Sequence, residues 1–196
     1  MNPNISRLKT KHFLFLDRDG VINVHRPNDY VKALDEFVFL PRALEALVKL
    51  SKHFSRIVIV TNQRGVSKGK MHESAVQEVH AYLQKQVEDA GGKIDGIYYC
   101  IHLDDNHPNR KPNSGMAFEA KKHFPEIDFS QSMMVGDSRS DIEFGNRLGM
   151  TTVLIKKEKP GWQKPVPDFI FSSLAAIAEL WEDNANYIGE DALANK

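Results

Sequence analysis

The chain has almost no cysteine. Cys100 is the only one among 196 residues, which excludes an intramolecular disulfide and makes a reducing cytoplasm the expected setting. Nor is there an excess of one charge. Lys and Arg total 26 against 26 Asp and Glu, whereas a general binder of nucleic acid or of an anionic membrane surface would carry a basic surplus. No apolar run approaches the roughly 18 residues of a membrane span, and MNPNISRLKTK at the start lacks the apolar stretch of a secretory leader. What remains is ordinary globular composition, 41% hydrophobic and 27% charged. At about 150 residues per domain this length suits one elaborated domain, stable without disulfide or structural metal.

Short apolar runs alternate with helical periods. Phe13 to Leu16 is too short for an amphipathic helix and reads as a buried strand, as do Ile57 to Val60, Ile97 to Ile101, Met133 to Val135 and Thr152 to Ile155, with Asp168 to Phe171 as a short edge strand. Between them, Leu44, Leu47, Leu50 and Phe54 recur at helical spacing, as do Val76, Val79, Leu83 and Val87. Shorter helices are predicted around Ala117 to Phe124, Ile142 to Leu148 and Leu174 to Trp181. This alternation predicts an α/β fold, a Rossmann-like three-layer sandwich around a central parallel sheet. Residues 1–181 are read as a single domain and 182–196 as a polar tail. His72, His80 and His123, within or beside predicted helices, are expected at the surface.

In an open parallel sheet, ligands bind beyond the carboxyl ends of the strands. Here the first strand ends in Asp17 and Asp19, the second in Thr61 and Asn62, and the fourth in Asp137, with Asp141 one helical turn further on. Carboxylates gathered at one edge repel one another unless a cation compensates them. A hard divalent ion is the expected answer, and Mg²⁺ suits a few carboxylate oxygens completed by water and a substrate phosphate. A carboxylate beside Mg²⁺ can attack phosphorus, and a second one two residues on can serve the leaving oxygen as acid and then water as base. Thr61 offers a hydroxyl to phosphoryl oxygens, and Lys111 offers a fixed positive charge. Asp19 and Asp137 taken singly could also be turn or helix caps, and Asp141 a carboxylate at a helix start.

DRDGV at 17–21, TNQRGVSKG at 61–69, RKP at 110–112 and GDSRSD at 136–141 together resemble the four ordered motifs of the haloacid dehalogenase superfamily of phosphohydrolases. DRDGVIN, EFVFLP, TNQ and DGIYYCIH are similar to its branch of heptose bisphosphate and histidinol-phosphate phosphatases. The resemblance implies Asp17 as nucleophile, Asp19 as general acid and base, Thr61 and Lys111 as phosphate holders, and Asn62 and Arg110 beside the substrate. It implies Asp17, Asp19 (by its backbone carbonyl) and Asp137 as the Mg²⁺ site. The partner is then a small phosphorylated molecule, a heptose bisphosphate first and histidinol phosphate second, with a non-catalytic phospholigand-binding module as the reading of another class. That branch often has a zinc loop. Here its first half survives as Cys100 and His102, with His107 a candidate third ligand, and no second cysteine exists, so zinc, which normally takes four ligands in a structural site, is not expected and a shortened loop is. The spacing from Asp19 to Thr61 and from Asn62 to Arg110 leaves no room for a separate cap domain. Arg26, Arg64, Lys68, Lys70 and Arg110 are candidates for a cationic rim around a second phosphate.

Overall fold

The computed structural model describes residues 3–156, 158 and 160–181; the tail expected over 182–196 lies outside them. Six parallel strands, β1 (Phe13–Leu16), β2 (Arg56–Asn62), β3 (Gly96–Cys100), β4 (Ser132–Gly136), β5 (Thr151–Ile155) and β6 (Phe169–Phe171), form one sheet in the order β3-β2-β1-β4-β5-β6. The chain begins at the centre, steps outward to β2 and β3, then returns across β1 to build the other half. The order therefore reverses at β1, between β2 and β4, and that reversal opens a crevice above the carboxyl ends of these strands.

Alternation along the strands divides the core in two. Leu14, Leu16, Ile57, Ile59, Met133 and Val135 face one layer of helices, α2 (Ala43–Leu50), α3 (Glu73–Asp89) and α6 (Leu174–Ala178). Phe15, Val58, Val60 and Met134 face the other, α4 (Gly115–His123) and α5 (Arg139–Arg147). Strands buried on both faces need apolar residues at nearly every position, which is why FLFL and IVIV carry no polar alternation. One element was not expected from the sequence. Among its described side chains, the helix α1 (Pro3–Lys9) sends Ile5 and Leu8 to the core, too few positions to raise a helical period. His80 is the second departure. It is buried on α3 rather than at the surface. Among the described residues, no further domain stands between β1 and β2 or between β2 and β3, and no helix is long and apolar enough to cross a membrane.

Candidate active site

Asp17 and Asp19 leave β1, Thr61 and Asn62 close β2, and Asp137 follows β4 directly, so the three central strands deliver their acidic and hydroxyl groups to one crevice. Arg110 and Lys111 arrive from the loop before α4. All seven line a single cavity of about 600 Å³, as do Arg26, Arg64, Lys68, Tyr30, Ser138 and Ser140. Lys70 is not among its lining residues. Two glycines make the close approach possible. A Cβ on Gly20, whose φ is +85°, would stand 2.1 Å from Asp137 Oδ2, and one on Gly65 would strike the ring of Tyr30 at 2.7 Å.

Asp17, Asp137 and Asp141 each bring a carboxylate oxygen within 4.8 Å of the others. Burial, and then the charges of Asp141, Asp137 and Asp19, push the Asp17 carboxyl up to about 7 against the pull of Lys111. Burial and Asp141 likewise raise Asp137, with His25 opposing at 3.5 Å. Lys111 Nζ lies 2.9 Å from Asp17 Oδ1 and 2.6 Å from Asp141 Oδ1. Its burial disfavours the charge, but the two carboxylates outweigh burial and hold the ammonium charged. Asp141, wholly buried, spends its other oxygen on the backbone N–H and hydroxyl of Ser138, at 3.0 and 2.6 Å. It thus fastens the start of α5 and supports Lys111 from behind. Asp17 Oδ1, by contrast, is a buried oxygen that accepts no hydrogen bond, its contact with Lys111 being an ion pair alone.

Asp19, also in the lining, is held differently. Its carboxylate accepts from Arg18 Nη2 at 3.0 Å on both oxygens, from Asn23 Nδ2 at 2.8 Å and from Gln63 Nε2 at 2.8 Å. Burial alone would raise its pKa, but Arg18 and these hydrogen bonds bring it below the ordinary carboxylate value. Gln63 also donates to Thr61 Oγ1 at 2.9 Å. With that lone pair occupied, the Thr61 hydroxyl proton is left to point at an acceptor in the cavity. Asn62 accepts from the Lys111 backbone N–H at 3.0 Å and donates to the Lys111 carbonyl at 3.1 Å, so its amide joins β2 to the Lys111 loop. Arg110 Nε donates to Asp105 at 2.8 Å. In that loop the His102 and His107 rings stack 3.8 Å apart. His107 Nδ1 accepts from Asn109 N–H at 3.2 Å and lies 3.7 Å from Cys100 Sγ.

Sheet reversal, clustered carboxylates and a captive lysine define a phosphoryl-handling hydrolase on a Rossmann-like scaffold. The comparisons agree. Residues 108–177 match the HAD-hydrolase-like family model. The chain is 37% identical over 174 residues to the D-glycero-beta-D-manno-heptose-1,7-bisphosphate 7-phosphatase of Pseudomonas aeruginosa, covering 86% of this chain and 97% of that one. It is 40% identical over 136 residues to the D-glycero-alpha-D-manno-heptose-1,7-bisphosphate 7-phosphatase of Mycobacterium bovis, covering 69% and 72%. The solved D,D-heptose 1,7-bisphosphate phosphatase of B. bronchiseptica, complexed with magnesium and phosphate, superposes with a TM-score of 0.76 at 28% identity, over 86% of this chain and 97% of that one. The chain belongs to the haloacid dehalogenase-like hydrolases, and it is a phosphatase.

Proposed function

We propose that this chain, with residues 1–181 working as one domain, hydrolyses a phosphate ester of a sugar that carries a second phosphate, a heptose 1,7-bisphosphate being the leading candidate. The single observation that carries the substrate class is the cationic lining of the cavity. Arg26, Arg64, Lys68 and Arg110 all line it, and Arg64 and Lys68 have no ion pair among the described residues. Arg26 is partly neutralised by Asp29 and Glu36 at 3.7 and 3.5 Å, and Arg110 by Asp105 at 2.8 Å. A lining rich in cations favours an anionic far end over the cationic amine of histidinol phosphate.

In the proposed reaction Asp17 attacks the phosphorus, a new P–O bond forms to its carboxylate and the bond to the sugar oxygen breaks. Asp19 gives a proton to that leaving oxygen. Asp19 then takes a proton from water as the water oxygen attacks the same phosphorus, releasing phosphate and restoring the Asp17 carboxylate. Lys111 and the Thr61 hydroxyl hold the phosphoryl oxygens where negative charge is carried. The residues fit a divalent cation: two buried carboxylates, Asp17 and Asp141, crowd against the half-buried Asp137, and one oxygen of Asp17 lacks a hydrogen bond. Asp17, Asp137 and the backbone carbonyl of Asp19 would hold Mg²⁺, with Asp141 engaged by Lys111 and Ser138. When bound, the ion neutralises carboxylate and phosphoryl charge together.

The deciding experiment measures kcat/KM with Mg²⁺ on heptose 1,7-bisphosphates of both anomers, sugar monophosphates and histidinol phosphate. A preference of about tenfold or more for a bisphosphate is expected. Equal or faster turnover of histidinol phosphate would overturn the assignment.

A further inference from the structure

Among the described residues, Arg18 is the largest side chain wholly removed from solvent. It sits in the chain between Asp17 and Asp19, yet its guanidinium turns away from Asp17 and into the layer beneath the cavity. A guanidinium cannot shed its charge, so its burial requires acceptors on several sides. They are both oxygens of Asp19 at 3.0 Å, Gln63 Oε1 at 3.3 Å, and His80 Nε2 at 3.0 Å. His80 comes from the middle of α3 and is pinned edge-on by the ring of Tyr99, 5.2 Å away. Because Arg18 can only donate, the His80 nitrogen that meets it is the bare one, and the imidazole is neutral with its proton on Nδ1. Burial, followed by the charge of Arg18, accordingly lowers its pKa to about 3.

A neutral acceptor is chemically distinct from a carboxylate at this place. It satisfies Arg18 Nη1 without absorbing the positive charge, which stays directed at Asp19. We propose that His80 is a positioning residue for Asp19: by anchoring Arg18 it fixes the guanidinium, and Arg18 with Gln63 and Asn23 fixes the carboxylate that exchanges a proton in both half-reactions. This inference rests on the reading of Asp19 as the acid and base. It extends the working network to α3, a helix whose side chains do not line the cavity.

Leaving-group dependence supplies the test, because kcat/KM covers the steps through breakage of the first P–O bond. A sugar alkoxide needs a proton as it departs; p-nitrophenolate does not. In the full chain with Mg²⁺, His80→Leu should lower kcat/KM for a sugar phosphate about tenfold more than for p-nitrophenyl phosphate. His80→Gln, whose amide oxygen can accept from Arg18, should restore most of that ratio, and inhibition by inorganic phosphate should be unchanged in both. A folded His80→Leu protein with the wild-type substrate ratio would overturn the proposal, as would a Gln variant no better than Leu. Should the Leu variant not fold, His80→Asn takes its place, since that amide is too short to reach Arg18; a wild-type ratio in the Asn variant overturns the proposal equally. The parent reading fails separately, by Asp19→Asn leaving turnover of the sugar phosphate intact.

Discussion

Lys111 lies nearer to Asp141 than to Asp17, 2.6 Å against 2.9 Å, and all three groups are buried. The lysine that would steady a phosphoryl group is thus held from behind by a carboxylate that takes no part in the proposed chemistry. Removing the Asp141 charge while keeping its shape should let the ammonium settle onto Asp17 and blunt it as a nucleophile. Asp141→Asn is expected to cost about 10 to 100-fold in kcat, the usual toll for a supporting partner, with little change in KM. Steady-state kinetics check this; an unaffected kcat would remove Asp141 from the account.

Removing the lysine is a harsher change. Lys111→Met leaves Asp17 and Asp141 facing each other without a cation, and breaking a buried pair in this way typically costs about 3–5 kcal/mol. Chemical denaturation of the metal-free variant should show a loss of that order along with loss of activity. A variant as stable as the parent would mean that the ion pair contributes nothing to the fold.

The metal-free protein should respond to pH through Asp17 and Asp137. Their carboxyls are raised in the folded state, Asp17 to about 7 from an ordinary 3.8. The folded chain therefore binds protons more tightly than the unfolded one, and stability is lost as pH climbs from about 4 to about 7. His80 acts in the opposite sense. Its folded pKa near 3 lies below the ordinary 6.5, so stability is gained as pH rises across that interval. The two partly cancel in any single melting curve, but His80 is common to the apo and Mg²⁺-loaded protein. The expected result is a Tm gain from Mg²⁺, measured against chelator, that grows from pH 4 to 7. A gain independent of pH would contradict the carboxylate site.

Arg64→Ala and Lys68→Ala should raise KM for a heptose bisphosphate several-fold while leaving a sugar monophosphate nearly unchanged, if each cation meets the second phosphate as proposed. Parallel losses on both substrates would show that these cations act on the reacting phosphate instead.

Much of this architecture was legible from the residues. The apolar runs in β1, β2 and β4 end in Asp17, Thr61 and Asp137, and strand ends at a sheet reversal are where ligands gather, so this part of the cavity lining is legible in the sequence. The helix α1 could not, because Ile5 and Leu8, its core contacts among the described side chains, make no period. His80 differs from the surface expectation for a separate reason. It lies four residues after Val76 and three before Leu83, on the same face as both, so its spacing points inward while its residue type, intermediate in burial, does not. The orientation of Asp19 toward Arg18, Asn23 and Gln63 left no trace in the local pattern, since it depends on Gln63, just past the end of β2, meeting the loop after β1 in space. The same holds for Asn62, whose grip on Lys111 spans 49 positions.

The claim on which the mechanism stands is that Asp17 itself becomes phosphorylated. Acid-quenching the enzyme during turnover of p-nitrophenyl phosphate with Mg²⁺, then reducing it with borohydride and mapping the peptides by mass spectrometry, reads this directly. The expected product is the peptide spanning residue 17 with that aspartate reduced to homoserine, dependent on substrate. Substrate-dependent reduction at another carboxylate, or no reduction at Asp17 during active turnover, would contradict the account.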